Sequence, residues 1–223
     1  MGGDVIGGPS LVPQGRATFD SAVVGRGFKM TAAGDAFHAQ DSDLWHLQRF
    51  TVDAWVRATD AGGSGIDGIG GIVAVKVLTD LPHVFPFVSW ALAYQPHGGY
   101  FSAIVQPAMI SGTPSDYLQS PDGFAAGEFH HVAMSFDGER LKLYVDGEVQ
   151  AQRLAPGRID YSDKRLGVGG HAFRGYPYDR TLIGEVDELE IVDRVLSPPE
   201  ISAIYQSGSA GRCRPVGAPL GRD

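Results

Sequence analysis

The chain has a single cysteine, Cys213, in 223 residues. That excludes an intrachain disulfide and any thiolate metal cluster. Cys213 lies beyond the last patterned segment, which suits a free or intermolecular thiol better than a nucleophile. No apolar run approaches the roughly 20 residues that cross a bilayer. The opening MGGDVIGGPS has neither the basic nor the apolar region of a signal peptide. Basic clusters are missing too: 18 Lys and Arg stand against 26 Asp and Glu, a formal charge of −8. A nucleic-acid or anionic membrane surface calls for the opposite sign. The acidity is compatible with a bound cation such as calcium, and it is also ordinary solubility. Only one helix signal is present, and no repeat of solenoid or propeller length.

What the chain does have is strand pattern and turns. It is 43% hydrophobic, enough for a sizeable core, with 31 Gly and 14 Pro to turn many short strands. This length suits one undivided all-β domain. The most regular stretch is 129–153, FHHVAMSFDGERLKLYVDGEVQAQR, which reads as three antiparallel strands. Val132, Met134 and Phe136 alternate with His131, Ala133 and Ser135, and Leu141, Leu143 and Val145 with Lys142, Tyr144 and Asp146. Alternation with period two marks a half-buried strand. Asp137-Gly138 and Asp146-Gly147 fit the tight turns, where positive φ is required.

Further strands are expected at 17–19, 28–39, 50–57, 71–77, 88–94, 100–106, 165–169 and 182–192. GIVAVKV (71–77), almost all apolar, predicts burial on both faces. Residues 61–71, 107–127 and 170–181 read as loops, the first Gly-rich, and a loop of the middle one's length is more often functional or mobile than neutral. Ser197, Pro198 and Glu200 form a capping-box start for one helix ending near Gly208. The domain is thus expected over 15–208, between flexible segments 1–14 and 209–223.

FHHVA followed by FDGERLKLYVDGE resembles the central signature of LamG-like jellyroll domains, and LIGEVDELEIVDRVLSPPEISAIY their closing strand and helix. FTVDAWVR and SAGRC resemble two further family segments, so the likeness runs over about residues 15–213. It implies the concanavalin A-like lectin/glucanase fold: all-β, a two-sheet antiparallel jelly-roll sandwich with one short C-terminal helix. It also implies a non-catalytic module of a larger secreted or cell-surface protein, binding glycan or a surface protein, in many members with structural calcium. Asp35, which matches a family aspartate, or Asp187, which otherwise accepts backbone hydrogen bonds, would hold such an ion with backbone carbonyls; Thr31 stands where the family commonly has an aspartate.

Three constellations carry candidate chemistry. Glu185, Asp187 and Glu190 fit the E-x-D-x-x-E pattern of laminarinase-type hydrolases, which need two carboxylates about 5–5.5 Å apart. On a regular strand Glu190 points away from the other two, and only a β-bulge would bring it round. The motif also sits on the last strand, where those hydrolases carry it mid-chain, so the expectation is no catalysis. His130 and His131, adjacent on a strand, face opposite ways and read as structural. The loop GHAFRGYPYDR gathers His171, Phe173, Arg174, Tyr176 and Tyr178, the mix of aromatic faces and polar forks that suits a glycan site on a rim. The same aromatics would equally serve to cover the open end of the sandwich. A structural or oligomerisation module without a small ligand is the third functional alternative.

Overall fold

A computed structural model describes residues 9–60, 71–79, 86–96, 98–108, 117–170 and 180–211. Two seven-stranded sheets pack face to face, and every pairing between named strands is antiparallel. The first runs β1 (Val12–Gln14), β4 (Ala36–Ala39), β13 (Leu166–Val168), β6 (Gly71–Val77), β7 (Val88–Gln95), β8 (Tyr100–Val105), β9 (Leu118–Gln119). The second runs β12 (Glu148–Leu154), β11 (Arg140–Val145), β10 (His130–Phe136), β5 (Phe50–Asp60), β14 (Ile183–Val192), β3 (Arg26–Met30), β2 (Thr18–Ser21). Strands distant in sequence lie side by side, as in a jelly roll.

The core lies between the sheets. One face of β5 and β10 supplies Phe50, Val52, Ala54, Val56, Val132, Met134 and Phe136, and Trp90, Leu92, Phe101 and Val105 meet them from the other sheet. At about 25 cal/mol per Å² of apolar surface, burying each such side chain stabilises by about 1.5–3 kcal/mol before entropy is charged. Behind β6, β7 and β8 a second apolar cluster forms, of Ile72, Val75, Val77, Ala91, Ala93 and Ile104 with Phe87 and Tyr117. All seven residues of β6 are therefore buried, as its continuous apolar run predicts.

Differences from the sequence reading have local causes. The stretch 28–39 is two strands, β3 and β4, in different sheets, separated at the Gly34 turn. Inside the segment read as a loose start, Val12–Gln14 pairs with β4. Leu118–Gln119 pairs with β8 inside the predicted long loop. The helix α1 (Pro198–Ser207) begins as expected: the Glu200 carboxylate accepts the Ser197 N–H at 2.8 Å and its hydroxyl at 2.7 Å. Ile201 and Leu196 pack on Ala133 and Tyr144, so α1 lies on the outer face of the second sheet.

Candidate functional site

The outer face of the second sheet carries the polar chemistry. Its floor is β5 against β14, with Arg57 opposite Glu185, Trp55 opposite Asp187, and Asp53 opposite Glu190. Between Asp187 and Glu190 the register shifts, because β14 spends three residues where β5 spends two. Glu188 takes up the extra residue at φ 48°, in the left-handed region that costs a non-glycine residue about 1–2 kcal/mol. The bulge turns Glu190 to the face of Glu185 and Asp187, where an unbroken strand would have presented Leu189.

Sharing a face does not make these carboxylates a catalytic pair. Glu185, 4% exposed, is ion-paired with Arg57 and lies 3.6 Å from the Lys29 ammonium. Asp187, 3% exposed, accepts the Val24 N–H at 2.7 Å on one oxygen and the Glu188 N–H at 2.9 Å on the other. The second bond holds the bulge and the first ties the 22–25 turn to the sheet. Both carboxylates are thus engaged by donors of the fold itself.

The calcium ligands implied by the family likeness fare similarly. Asp35 precedes β4 in one sheet and Asp187 lies on β14 in the other. The Asp35 carboxylate accepts Arg16 N–H at 2.6 Å, Thr31 N–H at 2.9 Å and Ala32 N–H at 2.9 Å, with the Thr31 hydroxyl at 3.2 Å. Burial pushes its pKa up, but these donors outweigh it and the net shift is downward. A ring of N–H groups has the polarity of a cation and does not fit as a calcium shell. Among the described residues no group of three or more His, Cys, Asp or Glu is gathered for a metal.

The two histidines part as expected. The His130 Nδ1 meets Asp146 at 2.8 Å, while the His131 Nε2 meets Asp53 at 3.3 Å under α1. Asp146 also accepts the His131 backbone N–H at 3.0 Å, closing the Asp146-Gly147 turn. The predicted ligand residues His171, Phe173, Arg174, Tyr176 and Tyr178 lie outside the described residues. Arg180, which follows them, is 1% exposed with its guanidinium 5.4 Å from the centre of the Phe87 ring.

Sequence reasoning missed an aromatic row. Trp55 is half-buried between Tyr205 of α1, at 5.8 Å between ring centres, and His131, edge-on at 5.5 Å. Tyr205 is 36% exposed. Beyond Trp55 on the same strand face, Arg57 lies 4.6 Å from the centre of the Phe129 ring. The alternation of FTVDAWVR sets Thr51, Asp53 and Trp55 opposite the face of Phe50, Val52, Ala54 and Val56. The long-range partners Tyr205 and Phe129 carried no such signal.

A family model, described as the concanavalin A-like lectin/glucanases superfamily, matches residues 31–202. The chain belongs to that superfamily, as a LamG-like jelly roll. No curated protein matches it. Domain 4 of an extracellular arabinanase from Geobacillus stearothermophilus, solved with arabinotriose, is similar at TM-score 0.61 and 14% identity, over 88% of this chain and 87% of that one. The receptor-binding domain of botulinum neurotoxin C/D mosaic serotype is similar at TM-score 0.63 and 14% identity, over 89% of this chain and 46% of that one. This chain thus spans less than half of the toxin domain. A heptameric SAP-like pentraxin from Limulus polyphemus is similar at TM-score 0.52 and 14% identity, over 71% and 70%. At these identities the likeness is one of fold.

Proposed function

We propose that the chain is a glycan-binding module of a secreted or surface protein, with the row Tyr205, Trp55, Arg57 as a contact surface. The observation that carries the reading is Trp55, a partly buried indole on a sheet face beside the Arg57 guanidinium, with the part-exposed Tyr205 ring packed on it. A sugar ring presents an apolar face rimmed by hydroxyls. A rigid aromatic covers that face at little entropic cost, and a donor fork held in place orients the hydroxyls. The likeness in fold to an arabinanase domain solved with arabinotriose supports a saccharide as ligand. The rim loop with Phe173, Tyr176 and Tyr178 is the second contact, from its composition. A protein ligand is the competing outcome.

A glycan array, followed by titration of the best binder, tests this. Tyr205→Ala and Arg57→Lys are each expected to weaken binding tenfold or more, about 1.4 kcal/mol. Tyr176→Ala examines the loop separately. An array with no glycan bound, or affinity indifferent to Tyr205 and Arg57, would overturn the reading.

A further inference from the structure

Lys76 is 0% exposed, an unusual place for a lysine. On β6 it stands in register with Trp90 of β7 and Leu166 of β13, and so on the core side of its sheet. Its ammonium sits at the end of the sandwich amid four oxygens. The Lys164 carbonyl is at 2.6 Å, the Ser162 carbonyl at 3.0 Å, the Asp41 Oδ1 at 3.1 Å and the Val77 carbonyl at 3.3 Å. Three stretches of chain meet there: the end of β6, the segment before β13, and the connection after β4. Asp41 is held in turn by the His46 Nε2 at 3.0 Å on the same oxygen, and His46 stacks on Tyr161 at 4.9 Å.

Three carbonyl dipoles and a carboxylate converging on one point repel each other unless a cation stands between them. An ammonium, with three N–H groups and no lone pair, matches such a shell, whereas a neutral amine would turn its lone pair on an oxygen. The spacing is that of N–H···O bonds. Three of the four distances, 3.0–3.3 Å, are wider than the 2.3–2.6 Å of a calcium shell. We propose that this cage is a cation site whose resident is the protein's own Lys76 ammonium, and that a free primary ammonium ion takes the site when the side chain is cut back. The internal cation fastens the irregular segment 155–165 to β6. Around it, Gln48 exchanges hydrogen bonds with Ile159 at 2.8 and 2.9 Å, and the Ser89 hydroxyl donates to the Asp160 carbonyl at 2.7 Å. None of this depends on the glycan reading.

Lys76→Ala removes the atoms of n-propylammonium, so that ion is the probe. Melting is compared in n-propylammonium chloride, in sodium chloride of equal ionic strength, in calcium chloride and in n-propanol, for the variant and the unaltered protein. The variant is expected to melt lower in sodium chloride and to recover at least half the loss in propylammonium alone. The unaltered protein should not respond. If the variant fails to fold in sodium chloride, refolding yield in the same four solutions is the readout, with the same ranking expected. Recovery with n-propanol equal to that with propylammonium, or none with either, would overturn the proposal. So would a Lys76→Met variant as stable as the parent, since a cage that needs no charge is not a cation site. The intact mass must equal that of the sequence; loss of one water, from an amide between Nζ and the Asp41 Cγ, would show that no ammonium is there.

Discussion

Asp53 lies opposite Glu190 and Trp55 lies opposite Asp187, so two residues of β5 are matched by three of β14. That one-residue excess decides which side chains reach the outer face. It is held by Asp187, whose carboxylate accepts the N–H of the residue forming the bulge.

If strain at Glu188 is the cost of the bulge, glycine relieves it and a β-branched residue worsens it. Glu188→Gly is expected to leave stability unchanged or raise it by up to about 1 kcal/mol, and Glu188→Val to lower it by about 1–2 kcal/mol. Urea denaturation measures both. A more stable Glu188→Val would mean that the bulge is not needed.

Arg57 is the main cation facing the buried Glu185 carboxylate, with Lys29 farther off. Arg57→Ala leaves that charge undercompensated, which costs about 3–5 kcal/mol for a fully buried pair. The Arg57 side chain is 34% exposed, so solvent screening reduces the expected loss to about 1–3 kcal/mol. Glu185→Gln in the Arg57→Ala background should recover part of it. A double-mutant cycle with no coupling would show the pair to be ornamental.

The helix cap carries a pH signature. Ser197, through its backbone N–H first and then its hydroxyl, and Arg194 pull the Glu200 carboxyl from 4.5 down to about 2. The folded form therefore binds the proton less readily than the unfolded chain. Its contribution to stability is complete above the unfolded value and lost as pH falls from there through about 2. A carboxyl titration followed by NMR should find Glu200 at the low end, and Ser197→Ala should move it up. A midpoint above 4 in the parent would contradict the cap geometry.

Much of the fold was legible because binary pattern and turn chemistry agree locally. The meander is β10, β11 and β12, joined by turns with Gly138 and Asp146-Gly147 at positive φ, and GIVAVKV is β6 to the residue. What escaped depended on distant partners. Val12–Gln14 and Leu118–Gln119 are too short to show a period, and they exist as strands only through β4 and β8. Lys76 interrupts an apolar run, and its oxygens come from residues 41, 77, 162 and 164, which no local spacing connects. The bulge was foreseeable only as a condition, since a glutamate at positive φ leaves no mark in the sequence.

Asp35 gives the test of the calcium question. Its carboxylate satisfies three backbone N–H groups drawn from Arg16, Thr31 and Ala32, joining the start of β2 to the turn before β4. Asp35→Ala leaves all three without that acceptor. At about 1–3 kcal/mol for a buried unsatisfied group, with water reaching some of them, a loss of about 2–4 kcal/mol is expected. The lowered pKa of Asp35 adds acid sensitivity: its stabilisation holds above the unfolded carboxyl value and disappears as pH falls through the folded one. Asp35→Asn should flatten that part of the acid limb. Chelator should leave the melting temperature of the parent unchanged, because the donors at this carboxylate are N–H groups fixed by the fold. If chelator lowers melting in the parent but not in Asp35→Asn, a cation competes with those N–H groups, and the assignment of Asp35 to the backbone alone fails.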